Sequence, residues 1–226
     1  MNDPTVFVPT PPVLLPVAGT SALFPVRHIH CIGRNYADHA REMGADPDRE
    51  PPFFFAKAAQ AAVGGTDTFS VPYPKATERL EHEVELVVAL GPEGAPFGVA
   101  IGIDLTRRDL QALAKSKGRP WESAKSFTGA APIGPIQPLD GRPVPVSGRI
   151  ALSVNGMPRQ DGNLDQMIWS VPEALGHLTA EDRLYAGDLL FTGTPAGVGP
   201  VQPGDVVGAE IEGLGGISVT IGDPHP

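Results

Sequence analysis

Leu80-Glu81-His82-Glu83-Val84-Glu85-Leu86-Val87-Val88 alternates two chemistries along one short run. Apolar residues hold positions 84, 86 and 88, and acids hold positions 81, 83 and 85. A period of two is the mark of a half-buried strand. One face then carries three carboxylates in a row, and like charges side by side on a strand repel. A cation between them removes that cost. The next apolar run, Gly98-Val-Ala-Ile-Gly-Ile-Asp104-Leu-Thr106, ends in a further acid. Glu83, Glu85 and Asp104 would offer three hard oxygen donors and leave open positions for water or substrate. Such a set suits Mg²⁺, Mn²⁺ or Ca²⁺ rather than zinc. Two plainer readings stand beside this one: an exposed acidic edge strand, and an Asp104 that only caps the following helix.

Outward from this run, the chain reads as short strands with few helices. The 26 prolines and 27 glycines among 226 residues argue against long helices. Residues 1–26 read as a proline-rich arm or a pair of short strands. Strands are expected at 27–32, 53–57, 83–90, 99–105, 188–192, 205–211 and 217–221. Asn155-Gly156 reads as the turn of a hairpin spanning 150–160. Helices are expected at 36–43, with Asn35 as N-cap and Gly44 as terminator, at 107–117, and at 171–178. Residues 118–148, with six prolines, read as an irregular and functional stretch. Strands and helices do not alternate, so a doubly wound sheet is not expected. The expectation is a strand-dominated α+β fold in a single domain over 1–226, with the arm packed on it.

The bulk numbers narrow the function. Seventeen basic against 26 acidic residues give a net charge of −9, which argues against a nucleic-acid footprint or an anionic membrane surface. The single cysteine, Cys31, sits in an apolar strand-like run and reads as a buried thiol in a reducing compartment. No run is long enough to span a membrane. The prolines near the start are unlike a secretory signal, and the expected location is the cytoplasm.

Several side chains have a chemistry to offer. His39 and Glu42 stand at i and i+3, so a carboxylate could hold an imidazole as a water-activating base; a solvated surface pair has the same spacing. Gly33 and Gly44 flank this helix and would let it act as a lid. Arg108 and Gln111 share the face of the helix that follows Asp104. Lys125, between small and aromatic residues, suits an electrostatic clamp, and Lys57 follows Phe53-Phe54-Phe55 in a similar setting. For either lysine, an exposed end on a buried stem is the plainer reading. Thr192-Gly-Thr-Pro-Ala-Gly-Val-Gly199 is a glycine-rich loop whose N–H groups could cradle a carboxylate. It lacks the lysine and setting of a nucleotide-binding loop.

In this order and spacing, the pieces 33–42, 82–85, 104–111, 125–127 and 192–199 resemble the fumarylacetoacetate hydrolase superfamily. The resemblance runs from about residue 14 to 222. Pro51-Pro-Phe-Phe-Phe55, Gly118-Arg-Pro-Trp-Glu122 and Gln166-Met-Ile-Trp169 are similar to the short acylpyruvate hydrolases, especially fumarylpyruvate hydrolases. The chain departs from many relatives at Lys57-Ala58-Ala59, where a proline commonly follows the lysine. The resemblance implies a mixed β-sandwich or roll with a few short helices, assembled as a homodimer. It implies Mg²⁺ (or Mn²⁺, with Ca²⁺ able to replace it in crystals) on Glu83, Glu85 and Asp104. It implies His39, Glu42 and Lys125 as catalytic, and Arg34, Arg108, Gln111, Gly193 and Thr194 as contacts for a small anionic dioxo acid. The implied reaction is cleavage of an acylpyruvate, with fumarylpyruvate going to fumarate and pyruvate. Decarboxylation of oxaloacetate or isomerisation of a dienoate would use the same enolate chemistry. A metal-binding protein without catalysis is the alternative of another class. For a fumaryl group, Arg34, Arg107 and Arg119 are unranked candidates to meet the far carboxylate.

Overall fold

A computed structural model describes residues 5–42 and 51–224. The fold is strand-dominated, with the sheets curled around each other. Its centre is an eight-stranded mixed sheet. Val84–Leu90 lies there between Pro96–Ile103 and Asp188–Phe191, antiparallel to both. His28–Ile32 runs parallel to Asp188–Phe191, and Phe54–Lys57 pairs with its other edge. A five-stranded sheet packs on this one. It carries the hairpin Arg149–Val154 and Met157–Asn163, then Val206–Ile211, Gly215–Gly222 and Thr68–Pro72. Asn155 and Gly156 both have positive φ, as a tight two-residue hairpin turn requires.

The alternation over 80–88 is real, but its second face does not meet water. Every residue from Leu80 to Leu90 is buried. Val84, Leu86, Val88 and Leu90 join the core shared with the five-stranded sheet. Val87 and Ala89 join a second core, roofed by Leu15, Val17, Phe24 and Val26 of the N-terminal arm. Two short strands, Leu14–Pro16 and Leu23–Pro25, make that roof, while residues 5–12 stay exposed. The half-buried strand expected here is thus buried on both sides. It is also broken at Glu83: Leu80–His82 leaves the large sheet and pairs instead with Thr106–Arg107 and Gly199–Val201.

The helices are Ala37–Glu42, Arg108–Ser116, Glu122–Lys125 and Val171–Glu181 among the described residues. Ser170 and Glu173 close a capping box on the last. The stretch 118–148 is less irregular than expected, holding a one-turn helix and the strands Ala131–Ile133 and Gln137–Pro138. Gly44 and the expected end of the 36–43 helix lie outside the described residues. No described helix is long and apolar enough to cross a membrane.

Candidate active site

The break at Glu83 creates the site. Glu83 stands between the two strands, Glu85 lies one step into Val84–Leu90, and Asp104 follows Pro96–Ile103 directly. The Glu83 carbonyl accepts a hydrogen bond from the Asp104 N–H (2.8 Å), which ties the two strand ends together. One carboxylate oxygen from each of the three acids lies within 4.8 Å of the others, and all three residues are buried. Glu81, the third acid of the alternating run, is not part of this group. It pairs with Arg79 (2.7 Å) and Arg108.

Cations surround two of the three acids. Lys57 Nζ lies 2.7 Å from Asp104 Oδ1. Lys125 Nζ donates to Glu83 (2.9 Å) and Asp104 (2.7 Å). Arg108 bridges Glu83 (2.5 Å) and Glu81, and its Nη1 donates to Gln111 (2.6 Å). Both lysines are buried to the tip, unlike the exposed ends expected of them. Asp104 is therefore no helix cap; Arg107 occupies that position without a capping side chain. Burial alone would raise the Glu83 carboxyl, but Lys125 and Arg108 outweigh it and hold Glu83 well below the usual range. Glu85 goes the other way. Burial, then Asp104 and Glu83, push it well above the usual range, and the Gly193 N–H (2.6 Å) opposes them only in part. Lys125 is raised: burial would lower it, yet Asp104 and Glu83 prevail.

The donor set fits a hard divalent cation. Three carboxylate oxygens converge, and among the described residues Glu85 has no cation paired with it, although Lys57 and Lys125 already meet Asp104. A bound cation would relieve the repulsion that raises Glu85.

The helix Ala37–Glu42 brings a second device to the same cleft. His39 is buried, with Nδ1 3.2 Å from Glu42 Oε2. The Glu42 carboxylate also accepts from the Gly197 N–H (3.2 Å). Gly197 needs its lack of Cβ: at φ 97°, an added methyl would sit 2.0 Å from the Arg159 carbonyl oxygen. The glycine-rich loop thus does cradle carboxylates, but they belong to the protein. Gly193, with φ 94°, holds Glu85, and a Cβ there would strike Asn35.

The cleft is lined by Arg34, His39, Glu83, Glu85, Asp104, Arg108, Gln111, Lys125, Gly193 and Thr194. Glu42 touches it through His39. Phe53, Phe55, Lys115 and Trp121 complete the wall. Arg107 and Arg119 do not line it. Three contributors carried no signal in the sequence. Asn35 was expected as an N-cap, yet its buried amide donates to Thr192 O (2.8 Å) and Trp169 O (2.9 Å) and accepts from Trp169 N (2.8 Å). Gln160 accepts from Val84 N (3.0 Å), lies 3.0 Å from His82 Nδ1, and donates to Thr194 Oγ1 and Pro195 O (both 2.7 Å). Lys115 is the third. All three act across loops whose meeting depends on the tertiary fold.

Known proteins are similar over nearly the whole chain. The profile for the fumarylacetoacetate hydrolase C-terminal domain matches residues 28–222. The crystal structure of a fumarylpyruvate hydrolase from Pseudomonas aeruginosa, in complex with Mn²⁺ and pyruvate, has a TM-score of 0.93 and 45% identity, covering 97% of this chain and 99% of that one. A fumarylpyruvate hydrolase from Ralstonia sp is 40% identical over 80% of this chain and 98% of its own. A mitochondrial oxaloacetate tautomerase from Homo sapiens is 38% identical over 88% of this chain and 93% of its own.

Proposed function

The chain belongs to the fumarylacetoacetate hydrolase family, and from that premise we propose that it hydrolyses the C–C bond of an acylpyruvate, with fumarylpyruvate as substrate. The observation that carries the reading is the buried His39, paired with the exposed Glu42 and facing the same cleft as Glu83, Glu85 and Asp104. An enolate-forming site needs only the acids and Lys125. A water-activating base is what hydrolysis adds.

Glu83, Glu85 and Asp104 would hold Mg²⁺ or Mn²⁺, which when bound supplies positive charge to polarise the 2-oxo acid. Glu42 holds the Nδ1–H of His39, which leaves Nε2 free to take a proton from water. The resulting hydroxide attacks C4 of the dioxo acid. The C3–C4 bond breaks, its electron pair passes to the pyruvate enolate, and a proton returns to C3. Lys125, already aimed at the acid cluster, stabilises negative charge as it develops on the enolate. Arg108 and Gln111 orient the leaving pyruvate half, and Thr194, held by Gln160, offers its hydroxyl to the substrate. An assembly of two copies is part of the proposal.

A second reading, keto–enol tautomerisation of oxaloacetate, is favoured by the similarity to the human tautomerase. It uses the same enolate without consuming water. A panel of fumarylpyruvate, acetylpyruvate and oxaloacetate, followed by acylpyruvate absorbance and by pyruvate release, separates the two. Hydrolysis gives one pyruvate per acylpyruvate consumed. Loss of enol absorbance on oxaloacetate, with no pyruvate from either acylpyruvate, would replace the first reading by the second.

A further inference from the structure

Two basic side chains at the cleft have no part in the chemistry above. Arg34 has a left-handed backbone, φ 55°, which a non-glycine residue rarely keeps unless its surroundings impose it. Its guanidinium lies 5.4 Å from the centre of the Phe53 ring. Lys115 shares a helix face with Arg108 and Gln111, at i+7 and i+4, and its ammonium lies 5.0 Å from the centre of the Trp121 ring. Both line the cleft that holds the three acids. Among the described residues, Glu83 and Asp104 of the cleft pair with Lys57, Lys125 and Arg108, and no carboxylate forms an ion pair with Arg34 or Lys115. Burial and then the Arg108, Arg34 and Lys125 cations push the Lys115 ammonium down. This part of the cleft is short of negative charge.

The other basic candidates face elsewhere. Arg107 stacks 4.4 Å over the Phe127 ring and donates to Ser123 O. Arg119 lines a separate pocket bordered by His28, Phe53, Phe55 and Trp121. Lys115 stands about 10 Å along the helix axis from Arg108, at about 1.5 Å per residue. A seven-carbon dioxo diacid spans about 7–8 Å between its terminal carboxylate carbons, given C–C bonds of about 1.5 Å. A substrate whose keto-acid end lies beside Arg108 therefore brings its other end within reach of the Lys115 stem.

We infer that Arg34 and Lys115 form a clamp for the far carboxylate, selecting acylpyruvates whose acyl group is itself an acid over those with an uncharged acyl group. This rests on the acylpyruvate reading of the site. The test compares kcat/KM for fumarylpyruvate and acetylpyruvate in the wild type, Arg34→Met, Lys115→Met and the double variant. The fumarylpyruvate-to-acetylpyruvate ratio should fall about 10- to 100-fold in the double variant, mostly through KM, as expected for losing charge-assisted hydrogen bonds. Arg34→Lys and Lys115→Arg, which keep the charge, should retain the preference. Should the double variant not fold, Lys115→Met on the exposed helix surface gives the same reading alone. An unchanged ratio overturns the clamp. If the wild type cleaves neither compound, the reaction is wrong but the clamp is still decided. Calorimetric titration of both compounds into the Mg²⁺-loaded wild type and double variant then reads it. A diacid preference lost in the variant supports it, and no such preference in the wild type, or one kept in the variant, overturns it.

Discussion

Lys125 is the residue on which enolate stabilisation depends most. It is buried and donates to two of the three acids. Lys125→Met should lower kcat by about 10²–10³-fold, the cost of one preorganised electrostatic donor, with a smaller change in KM. Steady-state kinetics on fumarylpyruvate check this, and an unchanged kcat would reduce Lys125 to a structural counter-ion. His39 gives a sharper contrast, because only hydrolysis needs activated water. His39→Ala should lose acylpyruvate cleavage by about 10²–10⁴-fold while oxaloacetate tautomerisation falls far less. Equal losses would mean that the helix only shapes the cleft. The acids, His39, Glu42, Arg108 and Lys125 stood out by residue type, but spacing alone left plainer readings open, and the family resemblance is what drew them into one site. Asn35, Gln160 and Lys115 did not stand out. An amide or a helix-surface lysine announces nothing until the fold shows what it touches.

At the scale of elements, the sequence pattern located the long central strands, missed others such as Thr68–Pro72 and Ala131–Ile133, and misjudged their surroundings. The run at 80–88 alternates as a half-buried strand should, yet the arm's Leu15 and Phe24 roof its second face. Long-range packing of that kind leaves no trace in local periodicity. The break at Glu83 was hidden for the same reason: it follows from Leu80–His82 finding partners at Thr106–Arg107 and Gly199–Val201. Besides the Glu42–Gly197 contact, Asn35 ties the start of the His39 helix to the glycine-rich loop, its side chain making three buried or half-buried hydrogen bonds to residues 169 and 192. Asn35→Ala removes all three hydrogen bonds, and losing the buried one to Thr192 O costs about 1–3 kcal/mol. Urea unfolding should show a loss of that size. Hydrolysis should fall with it, as His39 loses its station, while Mg²⁺ affinity should hold. A variant as stable as the wild type would show that water replaces the amide.

At the scale of the molecule, the acid cluster ties stability to pH and to metal. In the metal-free protein, Glu85 has its carboxyl raised, so the stability it lends is full below the ordinary carboxylate pKa and is lost as pH rises through the folded value. Glu83 is lowered, so its contribution is full above the ordinary carboxylate pKa and is lost progressively as pH falls from there through its own depressed value. Melting temperature in a chelator should therefore decline as pH climbs from about 4.5, the usual carboxylate value. Saturating Mg²⁺ should remove the decline by pairing the charge. Parallel curves with and without Mg²⁺ would place the cation elsewhere. The central claim is that Glu83, Glu85 and Asp104 hold a divalent cation needed for acylpyruvate cleavage. It is tested most directly by the rate of pyruvate release from fumarylpyruvate in chelator-stripped wild type and Glu85→Gln, as Mg²⁺ or Mn²⁺ is titrated back. A cation held by these three acids predicts no cleavage in the stripped wild type, saturable recovery on adding metal, and no recovery in Glu85→Gln. Full cleavage by the stripped wild type, or equal recovery in Glu85→Gln, would contradict it.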